Sequence, residues 1–530
     1  MLPLWGWVMI GGLLLCSWSM LLIKHRHAKF CRVAAAEEEH GSLNPKKRGA
    51  SKALLGGPPP LPLLGNVGLV FSHGGPSFMH CLFHQVAQAY GGMFLVWLGV
   101  KPFVVINEPE LVKQIFMPKH YKTFKKGMFS EIMRPLLGDG LLLSEGKLWQ
   151  AHHKLAAPAF QPAYYSRTFE ALAQRINDAL EGWEQATTEG VEVKELSLEF
   201  SRLTLDNIGI MAFGEHFGAV SEEKGDDAIF EEVAVILREM QLRCIFLQVP
   251  FWRYFPFTCL PSQRRFQKAN DKIHKLVRRR LKRRKEQRRN LSLSKSEKGG
   301  YLLDALITAQ EENGFTDKEV EDEMITTIMG GHETTSSLLS FAAHLLATHP
   351  HVQEKVHQEL VDVMAHEQDT TDHHSLSFES LDKLKYLGQV IKEALRLFPS
   401  APVLNRVVFT KEGMTIGGYN LPSGTQVLVC PWSLHRSQAH WPEPDNFVPE
   451  RWADDKPPPH PFAYLPFSAG LRRCLGASFA MMEAKLVIAM LVARFELQPP
   501  DEKANVIPEM AITLRAKHGV RCALRKRRDN

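Results

Sequence analysis

Phe467-Ser468-Ala469-Gly470-Leu471-Arg472-Arg473-Cys474-Leu475-Gly476 is the stretch from which the fold of this chain can be read. Glycines flank the cysteine in a turn-rich loop, and the apolar run from Ala477 to Phe495 reads as a helix. A cysteine just before a helix sits among free backbone N–H groups, which favour a thiolate over a thiol. A thiolate fixed in this way is what an axial haem ligand needs, because it pushes electron density toward O–O cleavage. Most lone cysteines in turns are simply small buried side chains, so the loop alone leaves both readings open.

Working outward, Gly330-Gly331-His332-Glu333-Thr334-Thr335 lies in a helical pattern that opens at Asp317 and runs to about His349, before Pro350. Two mid-helix glycines cost about 1 kcal/mol each against alanine, so a local reason is expected, such as bare backbone that a ligand can approach. His332-Glu333 starts an HExxH zinc pattern, but Ser336 stands where the second histidine must fall, which argues against a zinc protease. Glu393-Ala394-Leu395-Arg396 lies on a helix running from Leu381 to Phe398, whose apolar residues recur every three or four positions. On an exposed face such a Glu–Arg pair contributes only roughly a few tenths of a kcal/mol. Phe94 to Ile106 alternates as a hairpin around Gly99 and Pro102, and Asn107 is placed to cap a helix through Phe116. Short strands are expected near Met414–Ile416 and Gln426–Val429. The pairs His80 and His84, His152 and His153, and His373 and His374 read as surface or helix residues. The body is mainly α with a small β part, and no linker divides it after residue 66.

These motifs, with Trp149 and Pro449-Glu450-Arg451-Trp452, resemble the cytochrome P450 superfamily of haem-thiolate monooxygenases from about Pro58 to Val520. The family signature fixes Phe, Gly, Arg, Cys and Gly at the spacing of Phe467, Gly470, Arg472, Cys474 and Gly476. The resemblance implies one cytochrome P450 domain that binds haem b, with Cys474 as the axial ligand to iron. It puts Gly331, Glu333 and Thr334 in the oxygen-binding groove, where the threonine hydroxyl holds oxygen while Glu333 and waters relay the protons that O–O cleavage requires. Arg451 would join Glu393 and Arg396 in a buried architectural network. Arg472, Arg406 and Trp149 would hold the haem propionates. Position 153 is His where the family carries Arg, and Gly330 replaces the glutamate that some fatty-acid ω-hydroxylases esterify to haem, so no covalent haem link is expected. No flavin or dinucleotide motif is visible, so the implied electron donor is a separate NADPH-dependent cytochrome P450 reductase, with cytochrome b5 as a second candidate. The implied substrate is a hydrophobic small molecule (lipid, sterol, terpenoid or xenobiotic) that gains one atom of O2. Two alternatives stand beside this reading. One is a peroxide isomerase or dehydratase, a branch that often lacks the helix acid and threonine; the other is a non-catalytic haem-binding protein.

The 530 residues carry 64 Lys and Arg against 58 Asp and Glu, with 45% apolar and 23% charged residues. That composition excludes a disordered, collagen-like or multi-span membrane chain. Eight cysteines with no CxxC pair describe neither a disulfide scaffold nor a zinc ribbon, and free thiols in a reducing compartment are expected. Basic residues concentrate in Lys24–Lys52, in Lys275–Arg289 with ten against Glu286, and in Arg515–Asn530 with seven against Asp529. No nucleic-acid module accompanies them. The run at 275–289 reads as a solvated helix face or as an attraction to anionic lipid. Met1 to Ile23 has no charged side chain and matches the ~30 Å hydrocarbon layer, and Lys24, Arg26, Lys29 and Arg32 follow at once. This apolar stretch is longer than a signal peptide core, so a retained anchor with a cytosolic body is expected; the resemblance suggests the endoplasmic reticulum membrane. The organisation is then an anchor over 1–23, a polar linker and proline hinge over 24–66, a haem domain over 67–522 and a basic tail over 523–530. Aromatic residues between Ile245 and Pro261, close to the second basic run, suggest a second membrane contact.

Overall fold

The computed structural model describes residues 85–527 except 100, 188–190, 226, 246–260, 291–299, 366–375, 456, 502–505 and 511, together with 17, 21, 55–62, 65 and 66. The anchor, most of the linker, the aromatic stretch Phe246–Phe257, and His80, His84, His373 and His374 lie outside the described residues. No helix among the described residues is long and apolar enough to cross a membrane.

The strands are β1 (Met93–Leu98), β2 (Lys101–Ile106), β3 (Phe124–Lys126), β4 (Val191–Glu195), β5 (Leu404–Val408), β6 (Met414–Ile416), β7 (Tyr419–Leu421), β8 (Gln426–Val429), β9 (Phe495–Gln498), β10 (Pro508–Met510), β11 (Leu514–Ala516) and β12 (Arg521–Lys526). Five of them make a sheet in the order β1-β2-β8-β5-β3, three make β4-β12-β9, and β6-β7 and β10-β11 are hairpins. The expected hairpin over 94–106 is β1 and β2, turning at Gly99. Pro102 has no N–H to donate, and β8 pairs with β2 only from Phe103 onward, so no ladder bond is lost there.

The main helices are α1 (Pro109–Phe116), α2 (Gly146–Ala156), α3 (Phe169–Ala186), α4 (Leu196–Phe213), α5 (Phe230–Ile245), α6 (Pro261–Asn290), α7 (Leu302–Asn313), α8 (Asp317–Thr348), α9 (Pro350–Ala365), α10 (Lys385–Leu397) and α11 (Ala477–Arg494). Helices with small adjacent sheets agree with the expected fold class. The spine is α8. Thr316 and Glu319 close a reciprocal capping box at its start: the Glu319 N–H donates to Thr316 Oγ1 at 3.2 Å, and the Thr316 N–H to Glu319 Oε2 at 2.8 Å. From Val320 onward it is buried along most of its length, against α4, α6, α7, α10 and α11.

Two local expectations are corrected and two are narrowed. Asn107 does not cap α1: Glu108 holds that place without a side-chain bond, and the Asn107 N–H donates to Gly92 O at 2.7 Å. The helix expected over 381–398 is a short turn, Ser380–Lys383, then α10, because Leu384 leaves helical geometry at ψ 76°. His152 is not a surface residue; it is buried, with Nδ1 against the Glu323 carboxylate of α8. The basic run on α6 is a solvated face in part, with Arg278 and Arg283 exposed, Arg279 half-buried, and Arg280 and Arg288 buried, and most of its cations have carboxylate partners. Arg284 grips Asp304 with two 2.8 Å bonds, Arg278 reaches Glu321 at 3.3 Å, Arg288 reaches Glu311 at 3.5 Å, Arg280 and Arg283 meet Glu215, Arg279 meets Asp227, and Lys285 meets Asp317. Seven of its ten cations are thus paired with the acidic body, whose charge they balance.

Candidate active site

The loop before α11 folds around its own backbone. The Cys474 N–H donates to Phe467 O at 2.9 Å, which closes the loop, and Phe467 packs its ring on the main core. Gly470 is required twice: its φ is 67°, and a Cβ there would lie 2.2 Å from Phe116 O. This contact presses the loop against the end of α1. Ser468 takes φ 61°, a conformation that non-glycine residues rarely hold and that clusters at functional sites.

Cys474 itself is solvent-exposed although protein surrounds it, as on the wall of an internal space. Burial raises its thiol above the ordinary value, against the Gly476 N–H and the charges of Arg473 and Lys126. The expectation that the loop by itself favours the thiolate is therefore corrected. The backbone supplies one helpful N–H, and desolvation outweighs it.

Three cations crowd this space. Lys126 ends β3 directly opposite Arg406 on β5, and Arg472 comes from the cysteine loop. Burial, then Arg406 and Arg472, hold the Lys126 ammonium well below its usual range. Burial, then Arg472, push Arg406 down to about 10. Arg472 is lowered too, first by burial. Its Nη2 donates to Ser144 O at 2.9 Å, its guanidinium lies 4.6 Å over the Trp149 ring, and its Nη1 is buried with no hydrogen-bond partner. The nearby carboxylate is Glu145, which accepts from the Lys126 N–H at 2.7 Å. One buried cation, Arg406, and two half-buried ones, Lys126 and Arg472, with one carboxylate and an orphaned guanidinium N–H form a cradle lacking anions, and a ring bearing two carboxylates beside Cys474 fits it. His153 packs 5.0 Å from Trp149, and burial together with Arg472 lowers its pKa, so it is neutral near pH 7.

On α8 the two glycines separate in role. Gly330 is exposed, with open space where a Cβ would stand. Gly331 is not the open position expected for ligand approach: its Cβ would meet Ile208 Cδ1 at 2.4 Å, so it serves the packing of α8 on α4. Thr334 Oγ1 donates to Gly330 O at 2.7 Å, and Ser400 Oγ donates to Thr334 O at 2.8 Å. Burial raises the Glu333 carboxyl pKa, while neighbouring Thr513 and Arg515 act to lower it. Both neighbours come from the β10–β11 region.

The third cluster is an ion network whose core, Glu393 and Arg396, is fully buried. Arg396 grips Glu393 through Nε at 2.9 Å and Nη2 at 2.8 Å, and its remaining donors reach His435 O at 2.7 Å, Pro444 O and Asn446 O. Glu393 also accepts from Arg451 Nε at 3.2 Å, Trp452 Nε1 at 2.9 Å and the Val448 N–H at 3.1 Å. Glu393 thus faces two guanidinium groups, and backbone carbonyls take up the remaining donors of the buried Arg396.

Sequence reasoning missed Lys126, Glu145, Thr513 and His435. His435 lies near Arg396, with Nδ1 3.1 Å from Arg396 O, and Nε2 accepts from the Leu465 N–H at 2.8 Å. Burial pushes its pKa down to about 3, so it stays neutral and ties the Arg396 cluster to the segment entering the cysteine loop. Nothing around position 435 in the sequence announces this.

The cytochrome P450 family model matches residues 55–522. Mouse cytochrome P450 4V2 is 28% identical over 480 residues, covering 88% of this chain and 89% of that protein. Rat cytochrome P450 4A10 is 32% identical over 433 residues, covering 80% and 82%. The Arabidopsis thaliana protein LUTEIN DEFICIENT 5, chloroplastic, is 29% identical, covering 84% and 73%. With the cysteine loop, the cation cradle and the buried Glu–Arg network in place, these matches identify the chain as a member of the cytochrome P450 family, monooxygenases that bind haem b through a cysteine thiolate.

Proposed function

We propose that this chain hydroxylates a hydrophobic small molecule from a membrane, with electrons delivered by a separate NADPH-dependent reductase and, as a second donor, cytochrome b5. The observation that carries the site reading is the exposed Cys474 thiol beside three clustered cations with unmet anionic demand. Cys474 would hold the haem iron through its thiolate, and Arg472, Arg406 and Lys126 would hold the propionates, with Trp149 as the surface on which Arg472 rests. Bound haem supplies the activation of dioxygen. The protein's own residues do the rest. Phe467 and Gly470 fix the loop, and the Glu393, Arg396 and Arg451 network braces the segment that leads into it. The Thr334 hydroxyl, now donating to Gly330 O, is a donor at the one open turn of α8, and Glu333 passes protons in from the β10–β11 side. One oxygen atom enters the substrate and the other leaves as water.

The presence of both Glu333 and Thr334 supports this reaction over peroxide isomerisation or dehydration, and dependence of turnover on NADPH separates the two. A body over 67–522 on an anchor over 1–23, at the endoplasmic reticulum with its haem domain in the cytosol, is part of the same proposal; it rests on the uncharged apolar run and the basic residues after it. Two measurements test the function. Reduced protein under carbon monoxide should show the thiolate-type band, and Cys474→Ser should lose it; a band that survives in the variant would mean another ligand. A comparison of membrane lipids before and after incubation with enzyme, reductase and NADPH should show a product heavier by one oxygen atom.

A further inference from the structure

The β10–β11 turn is fastened to α8 at the turn that carries Glu333 and Thr334. Ser337 Oγ donates to Leu514 O at 2.5 Å, the Leu514 N–H donates to Ser400 O at 3.0 Å, and Ser400 Oγ donates to Thr334 O at 2.8 Å. These three bonds form a circuit from α8 to the hairpin, on to the chain after α10, and back to α8. They reach across 177, 114 and 66 residues of sequence, so no local preference accounts for them. Inside the circuit sits Thr513. It is buried, and its Oγ1 has no partner of full hydrogen-bond geometry, although the Glu333 carboxyl group is its polar neighbour. A buried hydroxyl without a partner is destabilising, and a small rotation toward Glu333 satisfies it.

We propose that Thr513 is a positioning residue for the Glu333 carboxyl group, held at that place by the Ser337–Leu514–Ser400–Thr334 circuit. This deepens the reading of Glu333 as the proton-delivering acid and rests on it. In this role Thr513 acts through Glu333: it fixes the rotamer of the carboxyl group and stabilises its ionised form. The charged group facing Glu333 from the hairpin is Arg515, itself engaged by Glu509 at 2.8 Å. On α8 the adjacent His332 lies within hydrogen-bond distance of Ser201, with Nε2 2.9 Å from its Oγ.

The test uses the full-length holoenzyme and follows the protonated-carboxyl infrared band across pH, with Glu333→Gln identifying the band that belongs to Glu333. Thr513→Val keeps the shape and removes the hydroxyl, so the midpoint of that band should rise by about half a pH unit or more. Thr513→Ser should restore the parent value. Ser337→Ala, which frees the turn without touching Thr513, should shift the midpoint in the same direction. With reductase and NADPH, hydrogen peroxide released per NADPH consumed should rise several-fold in Thr513→Val and stay at the parent level in Thr513→Ser. A midpoint unchanged in Thr513→Val, or moved as far by Thr513→Ser, would overturn the proposal. The carbon monoxide band of the same samples reports on Cys474 separately, so failure of the haem reading is not mistaken for failure of this one.

Discussion

Glu483 shows how far one buried residue can set the behaviour of the whole chain. It lies on α11, accepts from Asn207 Nδ2 at 2.8 Å, and burial pushes its pKa up to about 8. The folded chain therefore keeps this proton over a range in which the unfolded chain has released it. The stability this contributes is fully present below the ordinary value of 4.5 and is lost as the pH climbs toward about 8, at up to about 1.4 kcal/mol per unit. Glu483→Gln keeps the shape and removes the titration. Its denaturation midpoint should match the parent near pH 5 and exceed it at pH 8, and equal slopes for the two proteins across that range would rule the effect out. Single residues such as this one are hidden in the sequence. Nothing in the local sequence marks Glu483, because its partner Asn207 on α4 lies 276 positions away.

At the scale of elements, α6 shows a pattern whose meaning depends on its neighbours. Its basic run suggests solvent or lipid, yet Asp304 on α7 is completely buried beneath Arg284 and Arg288. Arg284→Gln should leave that carboxylate undercompensated and cost about 2 kcal/mol, read as a fall in unfolding temperature. Lys275→Gln, on one of the run's three cations outside these pairs, should change little. Elements with a strong internal period are legible from the amino-acid order alone: α8 from its capping residue to Pro350, the β1–β2 hairpin, and β6 and β8 with the bounds expected of them. Their formation depends on near neighbours in the chain. The cysteine loop and the Glu393–Arg396 pair are legible through fixed spacing. Lys126 facing Arg406 and His435 bridging to Leu465 are not, since each depends on a register set by distant strands and loops.

For the molecule as a whole, the charge arithmetic has a consequence for how it meets a membrane. Because seven cations of α6 already have carboxylate partners within the body, the expected attachment falls mainly on the apolar run at 1–23. A chain lacking those residues should leave anionic vesicles at moderate salt and keep its haem. Vesicle binding retained at high salt would instead locate an apolar contact in the body.

The Glu393–Arg396 network also has a consequence in time. Its partners at His435, Pro444, Asn446, Arg451 and Trp452 lie 39 to 59 positions later in the chain. A ribosome adding about 5–20 residues per second leaves α10 waiting several seconds for them. During that wait two charges destined for the interior have only each other and water, so α10 cannot settle into the core. The cysteine comes later still. The Glu393–Arg396 network can therefore close only after Trp452 has been made, and the Cys474 loop follows it in the chain.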